Sequence, residues 1–322
     1  MIRRVRRCGA KNLFLQSDSV CQPRNISHLS FLRPRYRVRA RFDPGVGIEA
    51  FAGGEGPRAI FTREMIGPIS YVGGKRALAT RLIEIFPPHT TYVEAFCGGA
   101  QLFFHKQPSK VEVLNDLDGE IVNFFRVCQL HHEELLRYSR FVLVSRQWFE
   151  LLRATDPATL TDVQRAARYL YLLKNSFASI VRHPNYHWHV VQPPGFNLER
   201  LPRIIENAHK RLERVQIENL PYEKVLAHYD RKESLFYLDP PYFGRKLYRY
   251  NLAPADFEQL AERLATIRGK FVLSLNDVPE VRTLFQNFQI SEVDLPYTSQ
   301  KASGRRYREL VITNFKPRKP SK

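Results

Sequence analysis

Short apolar runs recur along the chain at 92–96, 111–114, 235–238, 271–275 and 309–313, and each reads as a buried strand. Helix-period stretches separate them. Strands spaced by helices predict a mostly parallel sheet, with chemistry gathered at the carboxyl ends of the strands. The polar clusters fall at such ends: Cys97-Gly98-Gly99-Ala100 after the first run, Asn115-Asp116 after the second, Asp239-Pro240-Pro241-Tyr242 after the third and Asn276-Asp277 after the fourth.

Two regions break this rhythm. From about 130 to 215 the pattern is largely helical, with an apolar repeat at Ala167, Leu170 and Tyr171 and a loop over 181–189, which predicts an inserted subdomain. Residues 1–64 have no apolar period. Their arginines are interleaved with turn-forming residues, so this segment is expected to be mostly disordered. An organelle-targeting arm and a start codon placed too far upstream both account for it, since Met65 is the second of only two methionines. The expected organisation is an extension over 1–64, a catalytic body over 65–130 and 216–316, a helical insert over 131–215 and a basic tail over 317–322.

Composition narrows the function classes. A 43% hydrophobic and 12% aromatic content suits a globular core, and no apolar run is long enough to span a membrane. Net charge is +18, of which residues 1–64 supply +8, so the body itself carries +10. A basic body fits a polyanionic partner or simply a solvated basic surface. Four cysteines without CxxC spacing fit a reducing, cytoplasmic setting. His183, His187 and His189 are spaced as metal ligands could be, but no cysteine or acid lies near them in sequence, and no metal is expected.

The sharpest signal is Asp239-Pro240-Pro241-Tyr242. An aromatic amine is a poor nucleophile because its lone pair is delocalised into the ring. Two acceptors on its hydrogens, the Asp239 carboxylate and the Pro240 carbonyl, favour a more reactive nitrogen. The prolines stiffen that geometry, and Tyr242 offers a face on which an extruded base can stack. The glycines at 98 and 99 fit either ligand approach or a tight turn. Asp116, about twenty residues on, fits either ribose hydroxyls or a helix N-cap. Tyr71-Val72-Gly73-Gly74-Lys75 precedes the first helix and lacks the full phosphate-loop pattern.

Taken in order, Tyr-x-Gly-Gly-Lys, Phe-Cys-Gly-Gly, Asn-Asp, a helical insert and Asp-Pro-Pro-Tyr resemble the Dam-type DNA adenine methyltransferases, from Met65 to about Phe315. The resemblance implies an α/β, Rossmann-like methyltransferase sheet with a mostly helical target-recognition insert. It also implies S-adenosylmethionine as methyl donor and double-stranded DNA as substrate, with a cognate restriction endonuclease as an open question. Catalysis then falls to Asp239, Pro240 and Tyr242. Tyr71, Lys75, Glu94, Phe96, Gly98, Gly99, Asp116 and Asp239 line the cofactor site. Phe177, Phe196 and Asn197 belong to the insert. Arg182, His183, Tyr186, His187 and Trp188 of the insert loop, with Lys301, Arg305, Arg306 and Arg308 before the last strand, are the expected DNA contacts. Two positions depart from the family pattern: Ala100, where a third glycine is common, and Pro221, where an acid is common. RNA adenine or cytosine amino-methylation and a silent DNA-binding homologue remain the alternatives.

Overall fold

The computed structural model describes residues 67–71, 75, 78–140, 142–176, 184–187, 195–295 and 307–317, all within the unit Ala59–Lys322. The expectation for residues 1–64 lies outside the described residues.

The alternation of apolar side chains along the strands builds three layers. The strands are β1 (Thr91–Glu94), β2 (Val111–Asn115), β3 (Gln216–Glu218), β4 (Ser234–Leu238), β5 (Lys270–Asn276), β6 (Gln289–Leu295) and β7 (Tyr307–Thr313). They form one sheet of order β3-β2-β1-β4-β5-β7-β6. The first five strands are parallel, and β7 runs antiparallel to both β5 and β6. Leu235 and Tyr237 of β4 bury against one face, and Phe236 and Leu238 against the other. Both faces are therefore covered, which is why these strands read as continuous apolar runs.

One face carries α1 (Ala79–Glu84), α2 (Gln101–His105), α3 (Gly119–Leu130), α4 (His132–Ser139), α5 (Arg146–Ala154), α6 (Asp162–Asn175) and α7 (Leu201–Leu212). The other carries α8 (Tyr222–Tyr229), α9 (Pro254–Thr266) and α10 (Pro279–Leu284). On α9 the buried residues Phe257, Leu260 and Leu264 follow helical spacing. Helix α6 starts in a Thr161/Gln164 capping box.

The helices between β2 and β3 do not have a core of their own. Leu170, Tyr171, Ile205 and Leu212 pack in the same cluster as Leu114 of β2 and Leu235 of β4. Arg211 of α7 pairs with Glu112 of β2, Lys106 reaches the same carboxylate at 2.5 Å, and all three are buried. Losing one partner from such a cluster costs roughly 3–5 kcal/mol, so it ties α7 firmly to the sheet.

Candidate active site

The site is assembled where β1, β2 and β4 end, around a cavity of about 500 Å³. At its β1 side the chain turns through Gly98 and Ala100, both with positive φ (48° and 50°). Gly98 suits that conformation, and Ala100 adopts it where a glycine would be unstrained. A Cβ on Gly98 would lie 3.0 Å from Cδ1 of Tyr71, and one on Gly99 would lie 3.1 Å from Tyr71 Cβ. The glycines thus let the segment before α1 lie against the turn, which explains why the Tyr71 and Gly98-Gly99 motifs occur together.

Asp116 holds this turn from the end of β2. Its Oδ2 accepts from the Gly98 amide at 2.9 Å and its Oδ1 from the Asp118 amide at 2.9 Å. The N-cap of α3 is Asp118, whose Oδ1 accepts from Glu120 N. The capping alternative for Asp116 therefore fails, because that duty falls two residues later. Burial raises the Asp116 carboxyl to about 6, and the two amides partly offset it. Glu94 is 1% exposed at the end of β1, and its Oε1 accepts from Tyr92 Oη and Phe103 N, both at 2.8 Å. Burial outweighs those bonds and pushes its carboxyl up to about 8.

Phe96 and Tyr222 form an aromatic wall, with ring centroids 5.3 Å apart. Pro221 precedes α8, and the buried Tyr222 hydroxyl has no hydrogen-bond partner among the described residues. Asp118 also lines the cavity, with its Oδ2 buried and unpartnered among the described residues.

Asp239 follows β4, with Pro240 buried directly after it. Its Oδ1 lies 2.8 Å from Lys75 Nζ and accepts from Ser274 Oγ of β5 at 3.0 Å. Ser274 Oγ is in turn 3.0 Å from Tyr237 Oη. Lys75 also donates to Tyr242 Oη at 2.7 Å and lies 2.8 Å from Glu309 Oε1 of β7. Burial opposes the charge on Lys75, but Asp239, Tyr242 and Glu309 together raise its pKa well above the ordinary value, so the ammonium persists. Burial likewise holds Asp239 and Glu309 above the usual carboxylate range, opposed by Lys75. Lys75, expected at the cofactor, thus borders the cavity and also ties Asp239 to Tyr242.

The loop after Tyr242 lines the cavity with Tyr248 and Arg249. Tyr248 stacks on Tyr71 (5.8 Å, 24°), and Arg249 pairs with Asp118 at 2.9 Å. Tyr248, Arg249, Ser274, Tyr237 and Glu309 were not legible as site residues. Glu309 and Ser274 left a trace only as polar positions within the apolar runs 309–313 and 271–275.

The expected DNA-contact residues are only partly described. Arg182, His183, Trp188, Lys301, Arg305 and Arg306, together with Phe177 and His189, lie outside the described residues. Tyr186 meets Phe149 edge-on at 5.4 Å and stands under Arg146, so part of its ring serves the packing of α5. The His187 amide donates to Asn175 O. Arg308 is exposed, 3.8 Å from Glu292. Phe196 is buried against Tyr171, and Asn197 Oδ1 accepts from the amides of Glu199 and Arg200 ahead of α7; these contacts are structural.

Comparison with known proteins bears on this arrangement. The chain is 24% identical over 268 residues to the Type II methyltransferase M1.LlaDCHI of Lactococcus lactis subsp. cremoris, covering 76% of this chain and 94% of that one. It is 24% identical over 256 residues to the Type II methyltransferase M.CviBI of Paramecium bursaria Chlorella virus NC1A, covering 77% and 96%. A family model described as D12 class N6 adenine-specific DNA methyltransferase matches residues 71–298, more than two thirds of the chain and a span that runs from Tyr71 through the Asp239 cluster. With the sheet order, the cavity and that match in agreement, the chain belongs to the D12 class N6 adenine-specific DNA methyltransferase family.

Proposed function

We propose that this enzyme methylates the 6-amino group of an adenine turned out of double-stranded DNA, at a defined sequence, with Asp239 as the acceptor that activates the amine. The family takes its methyl group from S-adenosylmethionine, which supplies a methyl carbon made electrophilic by the attached sulfonium. The residues present fit that molecule. Aromatic faces at Phe96 and Tyr222 suit its adenine, and carboxylates at Asp116 and Asp118 suit ribose hydroxyls. Buried Glu94 suits its ammonium. All five of these residues line the same cavity.

The observation that carries the reading is Asp239 itself. Both of its described contacts, Lys75 and Ser274, are to Oδ1, so Oδ2 remains as an acceptor at the edge of the cavity. Hydrogen bonding from the adenine amine to Oδ2 draws its nitrogen lone pair out of conjugation. Tyr242, held by Lys75 at its hydroxyl, presents a ring for the displaced base. The donor, held by Phe96, Tyr222, Asp116, Asp118 and Glu94, would supply the methyl group to that nitrogen, with the thioether as leaving group taking the electron pair of the broken carbon–sulfur bond. The excess proton on nitrogen leaves through Asp239 to water. Alignment and fixed electrostatics carry the catalysis, without a covalent enzyme intermediate.

Sequence-specific action, with a restriction endonuclease as cognate partner, is proposed from the relatives' designation as Type II methyltransferases. Readout of the site is assigned to the insert loop with Arg182, His183, His187 and Trp188. Phosphate contacts are assigned to Lys301, Arg305, Arg306 and Arg308. Methylation-sensitive sequencing of DNA from cells expressing the protein tests this reading. N6-methyladenine confined to one short sequence is expected, whereas an unmodified genome or methylation without sequence preference contradicts it.

A further inference from the structure

Glu309 takes no part in the chemistry above, yet it is 1% exposed and adjoins the catalytic cluster. It stands near the start of β7, opposite Asn276 of β5 in the antiparallel register. The next three residues, Leu310, Val311 and Ile312, are buried and apolar. A charge placed in such a row costs desolvation that an apolar residue there would avoid. What this charge meets is Lys75: the ammonium donates to Tyr242 Oη at 2.7 Å and lies 2.8 Å from Asp239 Oδ1 and 2.8 Å from Glu309 Oε1, the last an ion-pair contact that does not meet hydrogen-bond geometry.

We propose that Glu309 is a positioning residue for methyl transfer: with Asp239 it fixes the Lys75 ammonium, so that Tyr242 and Asp239 are held in one geometry and Asp239 keeps its strength as an acceptor. The proposal rests on the reading of Asp239 as the acceptor of the target amine. The reasoning is one of geometry and charge. A lysine stem is flexible, and an ammonium bound to one carboxylate alone swings to optimise that contact, releasing the tyrosine. One ammonium between two carboxylates leaves a net negative charge beside the position of a cationic methyl donor. One ammonium paired with one carboxylate leaves none, and that carboxylate is a weaker acceptor for the amine. The titratable and charged groups facing this pair are Lys75 ahead of α1, Tyr237 on β4, Tyr242 and Tyr248 from the following loop, and Glu94 at the end of β1, which feels Asp239.

The test is the pH dependence of single-turnover methyl transfer to adenine-containing duplex DNA by full-length Glu309→Gln and Glu309→Asp proteins, with S-adenosylmethionine affinity measured alongside and Asp239→Asn as reference. Glu309→Gln is expected to slow transfer about tenfold or more at neutral pH, the scale of a small loss of alignment. It is also expected to move the acid limb to lower pH by about half a unit or more, because a negative neighbour of Asp239 is gone. Glu309→Asp keeps the charge and shortens the reach, so the acid limb of the wild type is expected with a rate a few-fold lower. Wild-type rates in both variants overturn the proposal. So does a loss of equal factor at every pH that Glu309→Asp does not relieve, which marks a purely structural residue. If Glu309→Gln does not fold, Glu309→Asp decides alone: slower transfer at wild-type cofactor affinity supports the proposal, and an unchanged rate overturns it. Wild-type turnover in Asp239→Asn instead removes the acceptor reading beneath it, separately from anything Glu309 does.

Discussion

Glu94 offers a sharp test of the cofactor pocket, because burial pushes its carboxyl up to about 8. At pH 7 a group one unit below its pKa is about nine-tenths protonated, and ionising it costs about 1.4 kcal/mol. If Glu94 receives the ammonium of S-adenosylmethionine, binding must expel that proton. Isothermal titration calorimetry at pH 7, in two buffers with different ionisation enthalpies, reads the number directly. The wild-type protein is expected to release at least about half a proton per ligand bound, and Glu94→Gln almost none, with Asp116 adding only about a tenth because its carboxyl sits at about 6. The stability of the free protein should run the other way. A carboxyl raised in the folded state contributes stability that is fully present below its unfolded value and is lost as pH rises through about 8. The melting temperature of the ligand-free protein should therefore fall between about pH 5 and 8, and less steeply in Glu94→Gln. A wild-type release below about 0.2 proton, or the same release in Glu94→Gln, refutes the reasoning.

Three substitutions probe the rest of the site. Tyr242→Phe leaves a donor of the buried Lys75 ammonium without its partner, a cost of about 1–3 kcal/mol, so single-turnover rates should fall roughly tenfold; Tyr242→Ala, which also removes the ring, should fall further. Gly98→Ala places a Cβ 3.0 Å from the Tyr71 ring at a positive φ, so cofactor affinity by calorimetry and melting temperature should both drop, the backbone strain alone contributing about 1–2 kcal/mol. Arg249→Ala takes a half-exposed guanidinium away from the buried Asp118 carboxylate, a loss of about 1–3 kcal/mol, and should raise the KM for S-adenosylmethionine about fivefold or more with kcat little changed.

The central strands were legible because both of their faces are covered, which turns each into an apolar run. The edge strands were not. Strand β3 has three residues, all exposed or half-buried, and β6 pairs only with β7, so its residues 289–292 are mostly polar. The same contrast holds in the site. Asp239, Asp116 and the glycines stand directly at strand ends and announced themselves. Ser274 is buried inside β5, and Tyr237 inside β4, where they read as ordinary strand residues; only the sheet brings Ser274 to Asp239, and Tyr237, two residues before Asp239, reads as core. The loop bearing Tyr248 and Arg249 has no period to read, and its contacts to Tyr71 and Asp118 join residues more than a hundred positions apart. The helices of the insert were legible, but not their partners, because sequence shows which helix faces are apolar and not what they cover; these faces share a core with β2 and β4.

The most direct measurement is transfer of a labelled methyl group from S-adenosylmethionine to duplex DNA by the purified protein, followed by digestion to nucleosides and separation of the products, with Asp239→Ala run in parallel. The account predicts label in N6-methyladenine alone, and its loss in Asp239→Ala while DNA binding and the folded state persist. Label in N4-methylcytosine, transfer to RNA in place of DNA, or near wild-type turnover in Asp239→Ala would contradict it.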